Sequence, residues 1–132
     1  MLRRSGNACQ GVMLRVDKTS ELKIDKDCFI DGAWVDYYVR VIVATCQSFR
    51  VKVESIRMCH SRKKGLHLYI KICPPIESSK ANMLQWLLGD DSARVDFNRA
   101  RIDSGLEEWN KLFEVAGRRL KTIYRADEGI AS

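Results

Sequence analysis

Between Cys59 and Cys73 the chain reads "CHSRKKGLHLYIKIC", which holds two cysteines and both of its histidines around three consecutive cations. These residue types can do three kinds of chemistry: ligate a metal, attack an electrophile, or hold a phosphate. Zinc needs four donors that converge. Cys59, His60 and His67 meet if the flanking segments pair as a hairpin. Cys73, however, lies six residues beyond His67, roughly 20 Å along an extended strand at about 3.3 Å per residue. No metal site is therefore expected, and no cofactor. Nucleophilic catalysis needs a nucleophile spaced against its base, and no such spacing stands out. Tyr124, close to Arg118, Arg119 and Lys121, could suit attack on a phosphodiester but reads better as a packed strand residue. No catalytic residue is assigned.

Phosphate contact is what remains. Arg62, Lys63 and Lys64 would crown an exposed turn, and Gly65 supplies the backbone freedom that a tight turn uses. Arg57 lies on the strand before it, and His67, Tyr69 and Lys71 alternate outward on the strand after it. Aromatic and basic side chains sharing an open sheet face form a platform on which bases stack while cations follow the backbone. The candidate nucleic-acid-binding residues are thus Arg57, Arg62, Lys63, Lys64, His67, Tyr69 and Lys71, and single strands are the favoured partner.

The charge is unevenly placed. Of the net +6, residues 50–71 hold seven basic side chains against one acid, and residues 111–125 five against one. Residues 15–36 carry four against six. A polarised basic surface concentrates polyanions. Five cysteines without a C-x-x-C pair read as free thiols. No apolar run approaches the roughly 18–20 residues of a membrane span and no secretory leader is evident, so an intracellular, non-membrane protein is expected.

These residues need elements to position them. The 132-residue chain suits one α+β domain, 1–132: an antiparallel sheet of at least three strands, one main helix packed on a face, and a C-terminal hairpin. The termini, 1–11 and 126–132, are expected to be flexible. Residues 12–16 read as a short strand and 17–33 as loop with a brief extended piece. In "WVDYYVRVIVATC", Val35, Tyr37, Val39, Val41 and Val43 alternate, which predicts a strand over 35–44. Strands are also predicted over 50–59, with a bulge near Glu54 or Ser55, and over 66–72. Pairing of these two about the 61–65 turn makes partner numbers sum to about 126. Pro74-Pro75 is expected to end the sheet. A helix over 78–88 follows, capped by Ser78 or Ser79, with a stripe of Met83, Leu84, Leu87 and Leu88 stopped by Gly89. Residues 90–103 read as a turn and a short element, with Asp91 or Ser92 as a helix cap and the arginines paired to Asp90, Asp96 and Asp103. Residues 110–126 read as a hairpin turning at Ala116-Gly117, with a helix as the alternative. Val39, Val41, Val43, Leu68, Ile70, Leu84 and Leu87 are the predicted core.

"SRKKGLHLYI" resembles the strand of the archaeo-eukaryotic primase superfamily that carries a serine, a Lys-Gly step and a histidine. The resemblance implies that Ser61 and His67 contact nucleotide phosphates, with "RVDF" (94–97) supplying Asp96 as an acid. Active primases also carry an acidic metal-binding pair on an earlier strand, and "VRVIVATC" has no acid. What is implied is therefore a nucleotide-binding scaffold without polymerase activity. In size, charge and cysteine content the chain is also similar to uncharacterised small proteins of hyperthermophilic archaeal viruses, which would place it in the host cytoplasm.

The reading is a non-catalytic nucleic-acid-binding protein. A structural or homo-oligomeric interaction module, as a homodimer, is the alternative, and a primase-like nucleotide or phosphodiester enzyme the third reading.

Overall fold

In the computed structural model, residues 18–26, 31–60, 65–112 and 119–131 are described. The "RVKVESIRMCH" and "LHLYIKI" runs form the centre of the molecule. They become β2 (Lys52–His60) and β3 (Leu66–Glu77), an antiparallel pair whose partners Cys59↔His67, Met58↔Leu68 and Ile56↔Ile70 fall on the expected sum. The register slips between Val53 and Ser55, which is the bulge that the change of apolar phase announced. Around this pair lie β1 (Lys18–Lys26), α1 (Gly32–Ser48), α2 (Ser78–Leu87), α3 (Ser92–Asp103), β4 (Lys121–Arg125) and β5 (Gly129–Ile130). The five strands form one antiparallel sheet in the order β1-β3-β2-β4-β5. The chain is a single α+β domain.

The predicted strand over 35–44 is wrong: this stretch lies within helix α1. Its residues satisfy both periods. Trp34, Tyr38, Ile42 and Cys46 recur every four residues, as do Val35, Val39 and Val43. The helix buries Tyr38, Val39, Ile42 and Cys46 and leaves Asp36, Tyr37 and Arg40 exposed. Asp31 starts it, its carboxylate accepting the Trp34 amide at 2.9 Å, which satisfies a donor that the helix itself cannot. Packing on the sheet overrides the strand propensity of a valine-rich run.

Residues 18–26, read as mostly loop, form strand β1. "ELKIDK" alternates, and Leu22 and Ile24 are fully buried. Pro74 and Pro75 do not end the sheet either, since β3 continues to Glu77 and pairs Ile76 with Thr19 and Glu77 with Lys18. The register between β1 and β3 breaks between Thr19 and Glu21. The prolines fall in that interruption, where no ladder N–H is required. The predicted helix 78–88 is present as α2. Its cap position is Glu77, without a side-chain cap bond, rather than Ser78 or Ser79, and Gly89 follows it at φ +95°. Residues 92–103 form a full helix, α3, whose cap is Asp91: its carboxylate accepts the Arg94 amide at 3.1 Å. The predicted hairpin turn at 116–117 and the strand 12–16 lie outside the described residues. The hairpin present at the C-terminus is β4–β5, so Gly129 and Ile130, read as part of a loose tail, pair with β4.

Both α1 and α2 pack on one face of the sheet, in a core built from Leu22, Ile24, Ile56, Leu68, Ile70 and Ile72 with Tyr38, Ile42 and Leu84 from the helices. Of the predicted core, Val39, Leu68, Ile70 and Leu84 are buried, whereas Val41 and Val43 are half-buried. Leu87 is 46% exposed, because the buried side of α2 runs through Ala81, Leu84, Gln85 and Leu88. Among the described residues no strand lies beside the outer edge of β1. Instead Gln85 Oε1 accepts the Lys23 amide at 3.0 Å, Asp90 Oδ1 accepts the Asp25 amide at 2.9 Å, and Arg94 Nη2 donates to the Lys23 carbonyl at 2.6 Å. Side chains of the α2–α3 region thus take the place of a neighbouring strand and cover an edge that could otherwise pair with another chain.

Cys46 gives this core a pH signature. Burial pushes its thiol up from 9.0 to about 11. For an acid whose folded value is raised, the stability is fully present below the unfolded value and is lost as pH rises through the folded one. Two units correspond to about 2.7 kcal/mol. Denaturant unfolding under reducing conditions should therefore show wild type losing stability between pH 9 and 11 faster than Cys46→Ala. Parallel pH profiles would refute the assignment.

Candidate functional site on the sheet face away from the helices

Strand side chains alternate, so the register also fixes what the second face carries. Three rows cross it. Glu21, Lys71, Ser55 and Arg125 stand side by side on β1, β3, β2 and β4. Lys23, Tyr69, Arg57 and Thr122 form the next row, and Asp25, His67 and Cys59 the third. Four cations, Lys23, Arg57, Lys71 and Arg125, thus share a face with two acids, Glu21 and Asp25. Arg57 Nη2 meets Glu21 Oε2 at 3.2 Å, and its guanidinium carbon lies 5.7 Å from the centroid of the Tyr69 ring, within range of a cation–π contact. Lys71 and Arg125 are exposed. A half-exposed pair such as Arg57–Glu21 contributes little to stability, so the cations stay available to an external anion.

The predicted site residues are distributed as follows. Arg57, His67, Tyr69 and Lys71 do share one face. The expectation that His67 and Tyr69 are exposed is corrected: they are 6% and 4% accessible. A ring so covered cannot stack on a base, so the stacking half of the platform is absent. Arg62, Lys63 and Lys64, with Ser61, lie outside the described residues. Asp96 is exposed on α3. Lys23, Asp25 and Arg125 were not singled out from sequence, and Cys59, weighed there only as a metal ligand, is the register partner of His67 as expected. The first two were legible in the alternation of "ELKIDK", which puts Glu21, Lys23 and Asp25 on the face opposite Leu22 and Ile24.

His67 Nε2 lies 3.6 Å from Asp25 Oδ1, while the buried Nδ1 has no hydrogen-bond partner. Among the described residues no group of three or more His, Cys, Asp or Glu side chains could hold a metal ion, and no helix is long and apolar enough to cross a membrane. In comparisons with protein-family models, curated proteins and solved structures, nothing matches this chain.

Proposed function

We propose that the protein is a non-catalytic nucleic-acid-binding protein that holds the phosphate backbone on the sheet face away from the helices. The observation that supports this reading is the register that sets Lys23, Arg57, Lys71 and Arg125 on four adjacent strands, in a chain of net charge +6. Residues 61–64 connect β2 to β3 and add Arg62, Lys63 and Lys64 to the same segment. With Tyr69 covered, binding rests on charge, which makes it insensitive to sequence and strongly dependent on salt. Of the three residues that the primase likeness carries over, Ser61, His67 and Asp96, His67 lies on this face but is covered, so that likeness adds no phosphate contact to this reading.

The test is a salt titration of binding to an oligonucleotide for wild type and for Lys71→Gln with Arg125→Gln. Removing two phosphate contacts should flatten the slope of log Kobs against log salt by about 1.8 for duplex DNA and about 1.4 for single strands. Folding should hardly change, since exposed substitutions usually stay within about 0.5 kcal/mol each. An unchanged slope would remove the sheet face from the reading, and no binding by wild type at about 50 mM salt would end it.

A second reading, an assembly of copies of this chain, draws on Met83, Trp86 and Leu87, which are exposed on α2. Light scattering decides it: a monomer at high concentration would exclude it.

A further inference from the structure

β4 pairs with β2 only over Ser55–Met58, so the start of β2 runs beyond its neighbour on that side, close to where α1 ends at Ser48. Beside it lies a cavity of about 440 Å³, within the range of about 300–1,000 Å³ that small-molecule pockets occupy. Val43, Val51, Val53 and Tyr124 give it an apolar lining. Two exposed cations, Arg50 and Lys52, stand in the same lining, and among the described residues around the cavity there is no acid. Neither cation has an ion pair or a side-chain hydrogen bond to a described residue. Arg50 holds its place against a local preference. The Arg50 and Val51 amides close α1 by donating to the Gln47 and Cys46 carbonyls, both at 3.0 Å, and Arg50 sits at φ +62°. That left-handed position of a helix-ending motif is usually glycine, since an L side chain is strained there. A strained residue that presents a free cation to a cavity points to a role in binding.

We propose that this cavity binds a small organic anion, with its apolar body against Val43, Val51, Val53 and Tyr124 and its charged group on Arg50 and Lys52. The sign of the ligand follows from the lining, which offers cations and no carboxylate to repel an anion. A guanidinium matches the paired oxygens of such a group and bonds them with charge-assisted hydrogen bonds. Burial of the apolar body supplies affinity, and the cations select an anion over a neutral compound of the same shape. None of the four cations of the sheet face lines the cavity, so the site stands apart from the nucleic-acid reading. Cys73, the exposed register partner of Lys52, belongs to the same lining. Its free thiol reports whether the cavity is filled.

The experiment uses anilinonaphthalene sulfonate as the anion and phenylnaphthylamine, the same ring system without the sulfonate, as its neutral counterpart. Alkylation of Cys73 by iodoacetamide, mapped by mass spectrometry, is timed against the concentration of each compound in wild type, Arg50→Gly and Lys52→Gln. In wild type the sulfonate should protect Cys73 in a saturable way, and the neutral compound should protect it only at higher concentration. Each variant should weaken the sulfonate by about tenfold, as expected for one lost charge-assisted contact. Glycine suits the left-handed position, so circular dichroism should show Arg50→Gly folded and its weaker binding is not a loss of fold. Fluorescence that rises while Cys73 stays unprotected would put the probe on another apolar surface and overturn the proposal. Equal protection by the neutral compound, or an unchanged affinity in Arg50→Gly, would overturn it as well. Should Arg50→Gly not fold, an unchanged affinity in Lys52→Gln overturns it.

Discussion

Arg94→Ala will lower the unfolding free energy by about 3–5 kcal/mol, the usual cost of breaking a buried charge pair from one side. Arg94 ties together three parts of the chain that are remote in sequence. Its Nε meets both oxygens of Asp90, at 3.1 and 3.2 Å, and its Nη2 donates to the Lys23 carbonyl and to Asn110 Oδ1. Nη1 donates to the Lys111 carbonyl. Asp90 is buried and accepts the Asp25 and Asp91 amides at 2.9 and 3.0 Å. Removing the guanidinium leaves that carboxylate without its cation and releases the outer edge of β1.

The pH dependence of the loss identifies its cause. Burial raises the Asp90 carboxyl above its ordinary range, and the hydrogen bond and charge of Arg94 are the main effects that hold it down. Without Arg94 the folded value rises further. A carboxyl raised in the folded state contributes stability below its unfolded value, and that contribution is lost as pH rises through the folded value. The deficit of Arg94→Ala against wild type should therefore shrink between pH 7 and about pH 4. Adding Asp90→Asn should recover much of the loss at pH 7, since the amide oxygen still accepts the two backbone amides and no buried charge remains. Denaturant titrations at both pH values check this; a loss below about 1 kcal/mol, or one independent of pH, would rule out the buried pair as its source.

Ile70→Ala should cost about 2–5 kcal/mol at every pH. Ile70 is fully buried on the central strand, in register with Leu22 on one side and Ile56 on the other, both also fully buried. The helices close over this face, so little can collapse into the space a lost side chain leaves. The neighbouring Lys71→Ala, one residue along and on the other face, should change stability by no more than about 0.5 kcal/mol. Equal costs at the two positions would mean that the faces of β3 have been assigned the wrong way round.

These contrasts follow the limits of what the residues alone reveal. The register and bulge of the β2–β3 pair were readable, though not the run of β3 past residue 72, because a short connection and strict alternation leave one pairing that buries Leu68, Ile70 and Ile72 together. Helix α2 was readable from Leu84 and Leu88 and from Gly89 beyond them. α1 was not, because its apolar residues satisfy a period of two and a period of four at once. α3 was not, because its buried side is Arg94, Val95 and Asn98, which no apolar periodicity can announce. Those polar residues are stable inside only because α2, β1 and residues 110–111 bring partners to them.

The candidate site divides in the same way. Sequence alone determined that Arg57, His67, Tyr69 and Lys71 share a face, since alternation along two paired strands is a local property. Only the tertiary structure decided that His67 and Tyr69 on that face are covered, that Asp25 flanks His67 on the side away from Cys59, and that Lys23 and Arg125 join the cations. Burial and cross-strand neighbours depend on which distant strands pair, and those pairings are set by the packing of the whole chain, not by any one stretch of it.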